Sequence, residues 1–118
     1  MPQLAANNIL GDELHTGSGG VAQYAGGSNF AIIIENAEHT LHVRARNQRQ
    51  KLMWAVLELR GLLFAWYETA AGREYAHDQM RDIQLKDLVG SDIRHPCIDA
   101  KAMQSRMLFM FSAWVLEK

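Results

Sequence analysis

The stretch HVRARNQRQKLMWAVLELRGLLFAWYE, residues 42–68, decides the fold because it passes from a basic, polar ribbon into an almost wholly apolar run. Apolar residues recur there at steps of three and four, the spacing of one helix face. They are Leu52, Val56, Leu59, Leu63 and Trp66. A neighbouring stripe consists of Met53, Leu57, Phe64 and Tyr67. We therefore predict a long central helix over about residues 47–71, followed by Gly72 as a C-terminal cap.

This helix is apolar nearly all round, since only Glu58, Arg60 and Gly61 interrupt the run between Leu52 and Tyr67. Such a helix must be covered on nearly every side. A membrane span needs about 20 apolar residues in a row, and this run is shorter and contains charges. Burial in protein is the better explanation. Because a small chain has little material to cover so much apolar surface, we predict a homo-oligomer, most simply a dimer.

The region before the central helix predicts strands. Two Gly-Gly pairs flank VAQYA, and paired glycines are typical of turns. The run NFAIIIE is rich in β-branched residues, and HTLHVRAR alternates apolar and polar residues from Leu41 onward. With ENAE as the connection, these runs predict a β-hairpin. A helix starting near Asn36 is the alternative, because Ala, Glu, Arg and Gln favour helices; residues 36–46 stay open between the two.

Two further helices complete the prediction. The segment REYAHDQMRDIQLKDLVG should contain a shorter helix that ends before Gly90 and has Ala76, Met80 and Ile83 on one face. The last helix should run from about Ile98 to Glu117, with Asp99 as a plausible N-cap. The predicted fold class is α+β, a single domain over 1–118: a Gly-rich N-terminal hairpin or small antiparallel sheet against two or three helices.

The net charge and the cysteine content limit the cellular compartment and the classes of partner that we expect. The chain has 118 residues and a net charge of −1, so it shows no overall preference for a polyanion. Its single cysteine, Cys97, excludes an intramolecular disulfide and favours a reducing compartment. The first residues have neither the basic region nor the apolar core of a signal peptide. We expect a cytoplasmic protein that does not insert into a membrane.

One basic patch interrupts this neutral chain. Between residues 39 and 57 the charged side chains are all positive: Arg44, Arg46, Arg49 and Lys51. Four phosphate contacts would give salt-dependent binding to a nucleic acid. No aromatic residue is interleaved with them for base stacking, and no known DNA- or RNA-binding motif is present. Nucleic-acid binding is therefore an alternative function, and a solvated surface is the simpler interpretation.

The central helix carries the residues that we select as a candidate ligand or interface site. They are Glu58, Arg60, Gly61, Phe64 and Tyr67. Two residues apart on a helix, Glu58 and Arg60 point in nearly opposite directions and cannot pair with each other. Arg60 lies among apolar neighbours, so it should meet an anion, a partner's carboxylate or water. Gly61 would permit close contact between helices, within the chain or across a dimer.

Other motifs do not define a catalytic site. The glycine-rich stretch lacks the Lys-Ser/Thr ending of a phosphate loop and does not match G-x-G-x-x-G. His39 and His42 have no accompanying set of metal ligands, and His95 with Cys97 is too short a motif for a nucleophile. We expect no catalytic residue, no metal and no cofactor.

The leading hypothesis is a non-catalytic binding protein with an apolar, helix-lined interface or pocket for a protein or a small apolar or anionic ligand. The other alternative is a small enzyme using Arg60 in a pocket between sheet and helices.

Overall fold

The computed structural model describes residues 19–118, and this part of the chain is helical. The elements in order are α1 (Gly19–Glu35), α2 (Ala37–Thr40), α3 (Gln48–Tyr67), α4 (Ala70–Arg73), a 3-10 turn (Ala76–Asp78), α5 (Leu85–Val89) and α6 (Ala102–Glu117). No strand occurs between residues 19 and 118. The predicted α+β class, with its hairpin or small sheet, is therefore wrong. The glycines that precede residue 19 lie outside the described part.

Helix α1 forms where the sequence predicted strands and turns, because Gly26 and Gly27 serve close packing. A Cβ atom built on Gly27 would lie 2.6 Å from the amide nitrogen of Cys97 and 2.8 Å from the carbonyl carbon of Pro96. A Cβ on Gly26 would collide with the side chain of Ile98. Glycine is the residue that permits such an approach. Packing against residues 96–98 thus overrides the low helix propensity of the pair.

Helices α1 and α6 form the main helix pair, and small residues bring them together. Ser105 and Ser112 on α6 are fully buried. The Asn29 side-chain amide on α1 donates to Ser112 Oγ at 3.0 Å, and the Ser112 hydroxyl donates to the carbonyl of Phe109 at 2.6 Å. Every buried polar group in this contact therefore has a partner, as burial requires. The rings of Phe30 and Phe111 add an apolar contact, with centroids 6.1 Å apart.

Residues 36–46 form neither of the two structures that the sequence left open. The chain makes the single-turn helix α2, leaves it at Leu41, and passes His42 in a left-handed conformation with φ of 57°. The following residues up to Ala45 are not paired in a sheet. The alternation in HTLHVRAR nevertheless indicates the right faces: Leu41 and Val43 are buried, and Arg44 is exposed. One extended segment lying on helices needs the same alternation as a strand.

The central helix is confirmed, with shorter bounds than predicted. It begins after Asn47, whose side chain accepts a hydrogen bond from the amide of Gln50 at 2.9 Å. It ends at Tyr67, and Gly72 belongs to α4. The Thr69 side chain accepts a hydrogen bond from the Gly72 amide at 3.1 Å and so starts α4. The central helix therefore ends before Thr69, the N-cap of α4, and not at Gly72 as predicted.

The last two predicted helices are also shorter than expected. Within the third segment, α5 is shorter than the predicted helix. It ends at Val89, before Gly90 as predicted, and Gly90 has a φ of 78°. The predicted face of Ala76, Met80 and Ile83 is wrong, since residues 79–83 are not helical. Helix α6 begins after Lys101, so Asp99 is not its N-cap. Ile98 is buried against α1 instead, and its amide donates to the carbonyl of Gln23 at 3.0 Å.

Candidate functional site

Helix α3 is covered on one side by the rest of the chain. The buried side contains Ala55, Leu59, Leu63 and Trp66. The Trp66 ring lies 5.8 Å from the ring of Phe111 on α6 and stacks on Tyr75 at 6.0 Å, between centroids. This side corresponds to the first apolar stripe of the sequence. The covering is not complete, because the opposite side of α3 faces outward.

The outward side of α3 carries a continuous apolar surface, which we call the α3 stripe. It consists of Met53, Trp54, Leu57, Gly61 and Phe64. The exposed fractions of its four large side chains are 51%, 41%, 53% and 51%, in the order of the chain. Positions 53, 57, 61 and 64 are three or four residues apart and lie on one face. The stripe is thus about three turns of apolar helix surface without cover from residues 19–118.

Gly61 forms a gap in the middle of the α3 stripe. No heavy atom from the rest of the described chain lies within 4 Å of a Cβ built on it. The contact that we predicted for this glycine is therefore not supplied by residues 19–118. A glycine inside a helix costs about 1 kcal/mol relative to alanine. Packing within the described part of the protein does not offset this cost.

An open groove of about 740 Å³ runs beside the α3 stripe. Its walls are α3 and the start of α5, and the lining residues are Gln48, Arg49, Leu52, Met53, Val56, Leu57, Arg60, Gln84 and Leu85. Met53 and Leu57 belong to both surfaces, so groove and stripe are continuous. Among residues 19–118, the lining of the groove includes two arginines and no carboxylate, histidine, serine or cysteine. It can bind apolar and anionic groups, but it offers no general base or nucleophile.

Arg60 is half-buried at the edge of this groove and is held by a backbone contact. Its Nε donates to the carbonyl oxygen of Ile83 at 2.8 Å. No ion pair between Arg60 and a carboxylate is present among residues 19–118. The bond at Nε fixes the guanidinium plane and leaves both terminal nitrogens as donors. Among the pocket, the interface and the surface that the sequence left open for Arg60, the structure places this residue at the lining of a groove.

Glu58 lies on the other flank of the α3 stripe. It is exposed and faces a shallow depression that also contains His42 and Arg44. The direction of its side chain differs from that of Arg60 by about 160° around the helix, at 3.6 residues per turn. The two charges therefore border the stripe on opposite sides, which agrees with the prediction that they do not pair within one chain.

Tyr67 belongs to the core rather than to the surface site. Its ring is 4% exposed, and its hydroxyl donates to the Met80 carbonyl at 2.8 Å and accepts from the Met80 amide at 2.7 Å. Burial raises the pKa of Tyr67 above 10.0, and the hydrogen bond from the Met80 amide opposes that rise only in part. Of the two aromatic residues that we selected on α3, only Phe64 is available to a partner. Met53 and Leu57, which the selection omitted, take the place of Tyr67.

The basic patch is divided by the structure. Arg44, Arg46 and Arg49 are exposed, whereas Lys51 donates from Nζ to the carbonyl of Glu35 at 3.0 Å, at the C-terminus of α1. Lys51 therefore stabilises a helix end. An aromatic residue is nevertheless close to the patch, because Trp54 and Arg44 line the same depression. The sequence did not show this proximity, since the two residues lie in separate elements.

The remaining chemical groups do not form a site. Within residues 19–118, no cluster of His, Cys, Asp and Glu side chains could hold a metal ion. Burial, followed by the negative charge of Asp99, raises the pKa of the Cys97 thiol, which disfavours the nucleophilic thiolate. In the same part of the chain, no helix is both long enough and apolar enough to cross a membrane.

Comparisons of the chain with protein-family models, with curated proteins and with solved structures find no match.

Proposed function

We propose that this chain is a small non-catalytic interaction protein that acts as a homodimer through the α3 stripe. The observation that carries the proposal is the continuous apolar surface from Met53 to Phe64, with the bare backbone of Gly61 inside it. Soluble monomers rarely expose large contiguous apolar patches. A twofold dimer places the same patch of two copies face to face, so each copy covers the other.

The outer face of α1 is a weaker candidate for the interface. Its exposed apolar side chains are Val21, Tyr24 and Ile32. They are separated by the exposed Ser28, and none of them lines the 740 Å³ groove. The α3 stripe, in contrast, continues into that groove through Met53 and Leu57. A dimer on α3 would therefore remove more contiguous apolar surface from water, which is the main favourable term in association.

The composition of the groove supports binding rather than catalysis. Arg60 and Arg49 supply positive charge beside apolar side chains, and none of the lining residues from the described part of the chain is a proton acceptor at neutral pH. The proposal therefore places no reaction in the groove. The single free thiol, Cys97, supports a cytoplasmic location, where thiols stay reduced.

Light scattering coupled to size exclusion tests the dimer. The unaltered chain should have twice its monomer mass at micromolar concentration, and Leu57→Glu should convert it to a monomer, because each interface would bury two unpaired carboxylates. Ile32→Glu is the matched control: Ile32 is 49% exposed on α1, close to the 53% of Leu57. A monomeric unaltered chain would refute the proposal. So would a dimer that Ile32→Glu dissociates and Leu57→Glu does not.

The proximity of Trp54 to Arg44 favours nucleic-acid binding as a second candidate function. A base stacked on Trp54 with its phosphate near Arg44 is the usual arrangement for single strands. The test is a titration with a single-stranded oligonucleotide at low and high salt, which follows the total tryptophan fluorescence of the unaltered chain and of Trp54→Phe. Binding at low salt that is lost in Arg44→Glu would support this function. No binding at low salt would exclude it.

A further inference from the structure

We infer that the two copies pair with their α3 helices parallel, about a twofold axis along α3, so that Arg60 of each copy meets Glu58 of the other. This inference rests on the proposed dimer and specifies its geometry. It predicts which residues are neighbours across the interface. It also assigns a role to two charges that have no ion-pair partner within residues 19–118.

The flanks of the α3 stripe carry opposite charges at the same height along the helix. Arg60 lies on the side of the groove and α5, and Glu58 lies on the side of His42 and Arg44. They are two residues apart, which corresponds to about 3 Å along the helix axis. A second helix laid on the stripe would therefore pass between Arg60 on one flank and Glu58, with Arg44 beside it, on the other flank, at almost one level.

Symmetry then separates the two possible orientations. When two identical helices pack in parallel, a twofold axis along them brings each flank against the opposite flank of the partner. When they pack antiparallel, each flank meets the same flank of the partner. The antiparallel pair would place Arg60 of one copy near Arg60 of the other, and Glu58 of one copy near Glu58 of the other. Such contacts between like charges are unfavourable. The parallel pair forms two Arg60–Glu58 contacts instead, as flanking charges do in parallel coiled coils.

The apolar residues between the flanks are compatible with this parallel pair. Each residue near the axis meets its own copy, so the bare faces of the two Gly61 residues lie opposite each other. Helices approach most closely where such small residues meet, and the larger neighbours Leu57 and Phe64 then pack on either side of the crossing point. The open space around Gly61 is what this close approach requires.

Arg60 is prepared for the contact across the interface. The hydrogen bond from Nε to the Ile83 carbonyl, at 2.8 Å, restricts the guanidinium before a partner arrives. Within residues 19–118 the terminal nitrogens of Arg60 make no hydrogen bond, so they can bind a carboxylate with the paired hydrogen bonds that arginine provides. A side chain that is already ordered loses less conformational entropy on binding.

Disulfide cross-linking tests the orientation. In a Cys97→Ala background, Met53→Cys and Phe64→Cys are made separately and oxidised. A parallel pair places each new cysteine opposite its own copy, so both variants should give covalent homodimers. In an antiparallel pair centred between these positions, equal residues lie about 16 Å apart at 1.5 Å per residue. A disulfide cannot span that distance, and only a mixture of the two variants would cross-link. Ile32→Cys on α1 is the control and should stay uncross-linked.

A charge exchange tests the Arg60–Glu58 contact itself. Glu58→Arg and Arg60→Glu should each weaken the dimer by roughly fivefold or more, because each change puts like charges together on both flanks. The double variant should recover most of the loss. Glu117→Arg, an exposed change on α6, is the control. Recovery in the double variant separates charge pairing from the loss of the Ile83 hydrogen bond, which remains broken there.

The outcomes distinguish this inference from the proposed dimer. A dimer that cross-links only as the mixed pair of Met53→Cys and Phe64→Cys would overturn the parallel orientation and leave the dimer standing. Absence of recovery in the charge-exchanged double variant would also overturn the inference. A monomeric unaltered chain in light scattering would overturn both.

Discussion

Gly27 on α1 lies directly against the backbone of Cys97: a Cβ atom added to the glycine would lie 2.6 Å from the Cys97 nitrogen and 2.7 Å from its α-carbon. This contact holds the segment before α6 on the surface of α1. The same segment is fixed by the amide of Cys97, which donates to the carbonyl of Val89 at 3.1 Å. Because the atoms next to Gly27 belong to the backbone, they cannot move aside as a side-chain end could.

We predict that Gly27→Ala lowers the free energy of unfolding by about 1–3 kcal/mol, the usual cost of overpacking. Gly61→Ala is the matched control, since no described heavy atom lies near its Cβ and alanine is the better helix former. That change should raise the free energy of unfolding by about 0.5–1 kcal/mol. Urea denaturation in the Leu57→Glu background measures both effects without the contribution of association. Equal effects of the two changes would contradict this account of α1.

Tyr67 should cause the free energy of unfolding to decrease at alkaline pH. Because burial raises the pKa of Tyr67 above 10.0, the phenol stays neutral in the folded state while the unfolded chain begins to ionise there. The contribution of the neutral phenol to the free energy of unfolding is fully present below about pH 10, and it is lost as the pH rises towards the folded-state pKa. Urea denaturation at about pH 8 and at two values above 10 should show the decline.

Tyr67→Phe should remove that part of the decline. It should also cost about 1–2 kcal/mol at neutral pH, because the Met80 amide and carbonyl lose their hydrogen-bond partner. An alkaline decline of the same size in Tyr67→Phe would contradict the assignment to this residue.

Lys51 should contribute to stability through the end of α1 rather than through binding. Lys51→Met keeps the apolar stem and removes the hydrogen bond from Nζ to the Glu35 carbonyl. We expect a loss of about 0.3–1 kcal/mol, the usual range for a cation at a helix C-terminus, and a smaller loss at high salt. Arg49→Met is the control, since Arg49 is exposed, and it should change stability by less than about 0.5 kcal/mol. Thermal and urea unfolding measure both variants.

Cys97 should react slowly with alkylating reagents near neutral pH. Burial, with the nearby charge of Asp99 as the second cause, raises the pKa of its thiol, and the thiolate is the reactive form. Iodoacetamide should modify the folded protein more slowly than the urea-unfolded chain. Asp99→Asn should increase the rate in the folded state. Equal rates before and after unfolding would show that Cys97 is neither shielded nor perturbed.

The candidate surface could be predicted only in part. Sequence reasoning selected Glu58, Arg60, Gly61 and Phe64, and the structure places them around one side of α3. It also selected Tyr67, which is buried and hydrogen-bonded to the backbone of Met80. Helical periodicity shows which residues share a face, but not which face the rest of the chain covers. The exposed second stripe, with Met53 and Leu57, was the signal that could have completed the site.

The sequence by itself determined the central helix, because Leu52, Val56, Leu59, Leu63 and Trp66 repeat with the helical period over about four turns. It also determined which residues of the segment from Leu41 to Ala45 turn inward, since alternation depends only on an extended backbone. Only the tertiary structure decided that the glycine-rich segment is a helix. The reason is that Gly26 and Gly27 pack against residues 96–98, more than 60 residues along the chain, and no local pattern shows whether a glycine serves a turn or a close contact.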